Sequence, residues 1–198
     1  MNDEFHNLIK EICEKHNIKY NLISNGWVMV LEKNNIKEII VGYKFENNNH
    51  AIGKIFDDKY ATYELLNLYN IPVVEHSIVY SLSNKNEYAK KYNSAKYIEK
   101  LFNKYNKDIV IKENTGSGGK QVKRFNDLNE LTKYHIKIED NNSYSITPFY
   151  NIENEYRTII LNNQIKLMYK KELPVVYGDG RTKIEDLLKK FNYEYFKN

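Results

Sequence analysis

An apolar run that delivers one lysine and then breaks into a glycine-rich turn is a way to hold phosphate. Residues 109–122 have that form, Ile-Val-Ile-Lys-Glu-Asn-Thr-Gly-Ser-Gly-Gly-Lys-Gln-Val. Ile109, Val110 and Ile111 are β-branched and predict a buried strand, which puts Lys112 on a rigid element as a fixed charge. Gly116, Gly118 and Gly119 lack a Cβ, so the backbone can turn sharply there and bring its N–H groups close to phosphate oxygens. Val122 resumes the strand pattern and closes a hairpin.

Spacing excludes two other phosphate loops. Gly119-Lys120 is followed by Gln121 where a Walker loop needs Ser or Thr for magnesium, and Asn114 stands where its first glycine belongs. Val122-Lys123-Arg124-Phe125 takes the place of the helix whose N-terminus would receive a dinucleotide pyrophosphate. A plain turn fits the same residues, because glycine is the usual turn former. From this stretch alone both readings stand open.

Positioning such a lysine requires a core, and 198 residues suffice for one ordinary domain or two small ones. A hydrophobic share of 41% and a charged share of 28% are close to globular averages, which excludes wholesale disorder. The 18 tyrosines, with many Asn, Lys and Ile, fit drift toward A/T-rich codons better than a base-stacking surface. The charge of +4 is spread among acids, so no nucleic-acid partner is expected. Cys13 is the single cysteine, expected as a small core residue, and an internal disulfide is excluded. The five histidines lack paired ligand spacing, so no zinc site is expected. The N-terminus has no basic and apolar leader and no run approaches a membrane span, so a cytoplasmic protein without a membrane partner is expected.

Phe5, Leu8, Ile9, Ile12 and His16 fall at helical spacing, with Asn2 or Asp3 available as cap. Three strands should follow as a meander, Ile18 to Leu22, Trp27 to Leu31 and Ile36 to Val41, turned at Asn25-Gly26 and Asn34-Asn35. Ala51 to Phe56 reads as one helical turn, and Asp58 to Tyr69 as a helix ending in the extended Ile71-Pro72-Val73-Val74. Asn84 to Tyr105 reads as one helix with Ala95, Ile98, Leu101 and Phe102 on its apolar stripe. Leu128 and Leu131 mark another. Ser145 to Phe149, Glu155 to Leu161 and Ile165 to Tyr169 read as strands, the last two joined at Asn162-Asn163. Thr182 and Glu185 form a capping box for a final helix whose stripe is Ile184, Leu187, Leu188 and Phe191.

Taken together, four stretches in order resemble the ATP-grasp ligases, in the branch of cyanophycin synthetase and the ATP-grasp half of bifunctional glutathione synthetases. Asp58-Lys59 with Thr62, Leu65-Leu66 and Ile71-Pro72-Val73 is similar to the opening helix and strand. Lys112 and the loop Thr115 to Val122 resemble the nucleotide lysine and phosphate loop. Glu155-Tyr156-Arg157 with Ile159 to Asn163 resembles the strand leaving the adenine hinge. Gly178-Asp179-Gly180 with Thr182, Ile184 and Leu187, after Lys170, Lys171 and Pro174, resembles a diagnostic run of this branch. Residues 1–57 are more weakly similar to the segment preceding the grasp in cyanophycin synthetase, chiefly at Val41-Gly42-Tyr43.

The resemblance implies an α/β (α+β), ATP-grasp-like fold, with a lead segment over 1–57, a nucleotide-binding subdomain over 58–146 and a partial second subdomain over 147–198. It implies ATP as ligand and a carboxylate–amine ligation through an acyl phosphate, on an amino acid or peptide. Lys112 would hold the α- and β-phosphates, and Thr115, Gly116, Ser117, Gly118 and Gly119 would close over the β- and γ-phosphates. Thr147, Phe149 and Tyr150 would line the adenine hinge, Glu155 would bind the ribose or support the site, Lys171 would approach the phosphates and Arg157 would face the same cleft. Lys170 and Lys171 also fit a solvated strand end, and Glu155 with Arg157 an exposed pair.

Gln121 and Thr147-Pro148 depart from the family pattern, which has a glycine at the first place and an acidic pair at the second. The carboxylates that hold magnesium in the family would fall beyond Asn198, so the expectation is a shortened grasp that binds ATP weakly and needs a further part for magnesium and catalysis. That part could come from another chain, or an apolar face near Phe149, Ile159 and Leu167 could be covered in a homodimer. The alternative is a nucleotide-binding module without chemistry.

Overall fold

The computed structural model describes residues 3–138, 143–172 and 175–195. The chain is a mixed α+β protein whose strands pair antiparallel. It divides into two units, Met1–Phe149 and Tyr150–Asn198. Among the described residues no helix is long and apolar enough to cross a membrane.

The first unit opens with α1 (Asp3–Lys15), then β1 (Lys19–Ile23), β2 (Val28–Lys33), β3 (Ile36–Val41) and β4 (Lys44–Phe45), a meander in that order. The sequence predicts three of these strands. The fourth is a two-residue return that pairs Ile40 with Phe45 and Val41 with Lys44. Ile9 and Cys13, one turn apart on α1, pack with Met29 and Ile40 as a small core. Leu8 and Ile12, predicted on the same stripe, are exposed, so the buried face is narrower than the apolar pattern. Burial, with Glu14 beside it, pushes the Cys13 thiol up. Asn2 lies outside the described residues.

Two helices follow, each opened by a side-chain cap. Asn49 Oδ1 accepts from Ala51 N at 2.8 Å to start α2 (His50–Asp57), and Asp58 Oδ1 accepts from Ala61 N at 2.7 Å to start α3 (Lys59–Leu68). The cap fixes the start of α2, which runs to eight residues where the sequence predicts one turn.

The second sheet has the order β5-β8-β6-β7, from β5 (Ser77–Tyr80), β6 (Ile109–Glu113), β7 (Lys123–Phe125) and β8 (Ser143–Pro148). β7 begins just after Val122, which is exposed. The single helix predicted over Asn84 to Tyr105 is instead α4 (Glu87–Lys90) and α5 (Ala95–Lys104). Ser94 is the reason for the break, since its backbone is extended and its hydroxyl accepts from Tyr97 N to start α5 anew. Ile98, Leu101 and Phe102 of α5 and Leu131 of α6 (Leu128–Ile136) form one buried cluster with Ile109, Ile111 and Ile146 of the sheet.

Asparagine does much of the work usually given to glycine. Asn17, Asn70 and Asn106 stand just past α1, α3 and α5 with φ of 53°, 57° and 55°. The next N–H returns to a carbonyl inside the helix in each case, Ile18 to Cys13, Ile71 to Leu66 and Lys107 to Phe102. Asn34-Asn35 and Asn162-Asn163 are left-handed at both turn positions, as tight hairpins require.

The second unit holds β9 (Glu155–Leu161), β10 (Gln164–Lys171) and α7 (Ile184–Tyr195). All residues of the β9–β10 ribbon are exposed, including Ile159 and Leu167, which face each other across it. The predicted capping box is absent. Thr182 donates its hydroxyl to Asp179 Oδ2 at 2.6 Å, and Glu185 pairs with Lys189 at 2.9 Å. Pro174 and the Phe191 side chain lie outside the described residues.

Candidate functional site

Strand alternation separates the two faces of the β5-β8-β6-β7 sheet. Ile109 and Ile111 point into the core, so Lys112 points to the opposite face. There it stands in register with Ser145 on β8, which in turn is in register with Ile78 on β5. Thr147 and Val110 form the adjacent rung on the same face, with Thr147 also buried. Lys112 is half-buried and, among the described residues, has no hydrogen-bond or ion-pair partner. Burial first, then the nearby Lys59 ammonium, pulls its pKa down. A cation left without a counter-charge in such a place favours an anion.

Lys59, on the first turn of α3, has a different task. Its Nζ donates to three carbonyls at the exit of β6, those of Glu113 at 2.9 Å, Asn114 at 3.2 Å and Gly116 at 2.5 Å. These contacts use the three donors of an ammonium. Around them Lys59 N donates to Asn114 O at 3.1 Å and Tyr60 N to Asn114 Oδ1 at 3.0 Å. Asn114 is buried. The start of α3 thus anchors the mouth of the glycine loop.

Beyond that anchor the loop opens. Gly116 is closely packed, because a Cβ there would stand 2.7 Å from Glu113 Cβ. Gly118 and Gly119, with φ of 68° and 71°, would present a Cβ to open space with no atom within 4 Å. Their backbone is therefore accessible from outside, the condition for N–H groups to meet a phosphate. Gln121, in the place where the family resemblance has glycine, adopts φ 55° and accepts from Tyr144 Oη at 3.2 Å. Thr115 and Ser117 lie on the same loop.

His76 closes the other side of Lys112. Its Nδ1 is 2.5 Å from Ser145 Oγ, and its ring stacks on Tyr63 with centroids 6.1 Å apart. Burial, then the charges of Lys112 and Lys59, pulls the imidazole down to about 4, so it is neutral near pH 7. The sequence shows no motif that marks His76 or Lys59 for these places. Both are brought in by long-range pairing, and only the helix-capping Asp58 beside Lys59 was a visible signal.

The residues expected at an adenine hinge are divided. Thr147 is the next-to-last residue of β8 within the first unit, and Phe149 stands just past the strand with its N donating to Asp108 O at 2.9 Å. Arg124 lies over the Phe149 ring at 3.5 Å while bonding Asp108 in bidentate fashion at 2.8 and 2.7 Å. Tyr150, Glu155, Arg157 and Lys171 belong to the second unit. There Glu155 and Lys171 are cross-strand partners joined by a 3.0 Å ion pair, and Arg157 stands opposite Tyr169. The exposed pair predicted for Glu155 is therefore with Lys171 in place of Arg157.

Among the described residues no group of three or more His, Cys, Asp or Glu converges to hold a metal ion. The chain matches no protein-family model and no curated protein sequence.

Proposed function

We propose that this chain is the ATP-binding portion of an ATP-grasp carboxylate–amine ligase acting on an amino acid or peptide. One observation carries the reading. A half-buried lysine, without a counter-ion among the described residues, stands on the sheet face opposite the core cluster, and the same strand runs into a loop whose outer glycines are uncovered. Lys112 neutralises phosphate charge from a fixed position, and the loop backbone donates to phosphate oxygens. Lys59 keeps the mouth of that loop in place. ATP, when bound, supplies the phosphoryl group that activates a carboxylate for attack by an amine, with release of phosphate.

Calorimetric titration with ATP, with and without magnesium, tests the reading on this chain and on Lys112→Ala. Binding that is lost in the variant is the expected result. Equal binding by both proteins, or none by either, overturns the assignment of Lys112 as the phosphate ligand.

A further inference from the structure

A second concavity lies against the phosphate face. It is a groove of about 390 Å³ between α3, α5 and the start of β5, with His76 as its wall toward Lys112. Tyr60, Tyr63 and Tyr97 supply its rings, and Glu64, Glu75 and Lys104 its charges. Glu75 and Lys104 form an ion pair and cancel. Glu64 is exposed, helps to raise the pKa of the Tyr60 phenol and, among the described residues, has no cationic partner. His76 adds no positive charge near pH 7. One exposed carboxylate is thus left over among the residues that line the groove, with aromatic rings beside it.

The rings are placed to help. Tyr60 and Tyr63 have centroids 6.4 Å apart and are tilted by 39°. Both precede Glu64 on the same helix, and all three residues line the same groove. An ammonium beside Glu64 gains the carboxylate charge and the negative faces of both rings, while Asn67 offers a neutral acceptor. Burial, aided by Glu64, pushes the Tyr60 phenol up, so it remains neutral and does not compete as an anion. A carboxylate or phosphate ligand would instead meet Glu64 as a like charge.

We propose that this groove binds a primary ammonium group, held by Glu64 beside the rings of Tyr60 and Tyr63. The ligand class is a small aliphatic amine or the amino end of an amino-acid derivative. As an assignment of the amine that a ligase would use, this rests on the reading above. As a binding site it stands on the groove alone.

Glycinamide and n-propylammonium are the probes, followed by NMR titration of the full chain without ATP, with acetamide as the uncharged control. Both amines should shift the signals of Tyr60, Tyr63 and Asn67, and acetamide should not. Glu64→Gln keeps the shape and should weaken both amines about tenfold. Tyr63→Leu should weaken them about threefold, and ATP titration of Glu64→Gln should be unchanged. Shifts located elsewhere, equal shifts by acetamide, or undiminished binding in Glu64→Gln overturn the proposal. Amine binding without any ATP binding would sink the ligase reading and leave the groove standing. ATP binding without amine binding would do the reverse.

Discussion

The ammonium of Lys59 donates to the carbonyl of Gly116 at 2.5 Å, and so a helix that begins at residue 59 holds a loop that is far from it in sequence. Two further carbonyls share the same Nζ. The bond is directed at the loop backbone, which makes it independent of the side chains that the loop carries.

Lys59→Met keeps the aliphatic stem and removes the donors. It should cost about 2 kcal/mol of unfolding free energy, the loss expected when a charged donor leaves partly buried acceptors. Urea unfolding measures this, and an unchanged midpoint at unchanged slope would show that the carbonyls find water instead.

Gly116→Ala and Gly118→Ala should differ in kind. A methyl at Gly116 meets the Cβ and carboxylate of Glu113, and the Cβ cannot swing aside, so about 2 kcal/mol is expected. At Gly118 the methyl meets nothing within 4 Å and only the left-handed φ of 68° opposes it, so about 1 kcal/mol is expected. Thermal unfolding of the two variants side by side decides, and a larger loss at Gly118 would contradict the packing described.

His76 gives the protein an acid-sensitive component. Its folded pKa of about 4 lies below the ordinary value of 6.5, so the unfolded chain takes up the proton first as pH falls. The contribution is complete above 6.5 and is lost as pH drops through the folded value. Buried His135 is shifted the same way, so His76→Gln should reduce the slope of stability against pH without abolishing it. Urea midpoints between about pH 7.5 and about pH 4.5 measure the slope, and an identical slope in the variant would remove His76 from the account.

Local signals made much of the fold legible. The asparagine turns at 34–35 and 162–163 and the Asp58 cap carry their own geometry within a few residues, so the strands and helices they bound could be read directly. Ser94 was harder. A serine inside a stretch read as one helix passes as tolerated, and only the structure shows it starting a new helix. Thr182 failed for a related reason, since its hydroxyl turns to donate to Asp179 and the helix begins two residues later, at Ile184. In the candidate site Lys112 and its glycines were visible because strand and loop are contiguous. His76, Ser145 and Lys59 were not, because they meet Lys112 only through strand pairing and helix docking.

The two sheets of the first unit also differ in how far the chain must travel to close them. The β1-β2-β3-β4 meander joins neighbours through tight turns, whereas His76 and Ser145, beside the β5–β8 rung, are 69 residues apart. Closing a longer loop costs more chain entropy before any contact repays it. The meander can therefore assemble early and cheaply as a nucleus of its own. The face bearing Lys112 is expected to form after it, once two distant strands have found each other.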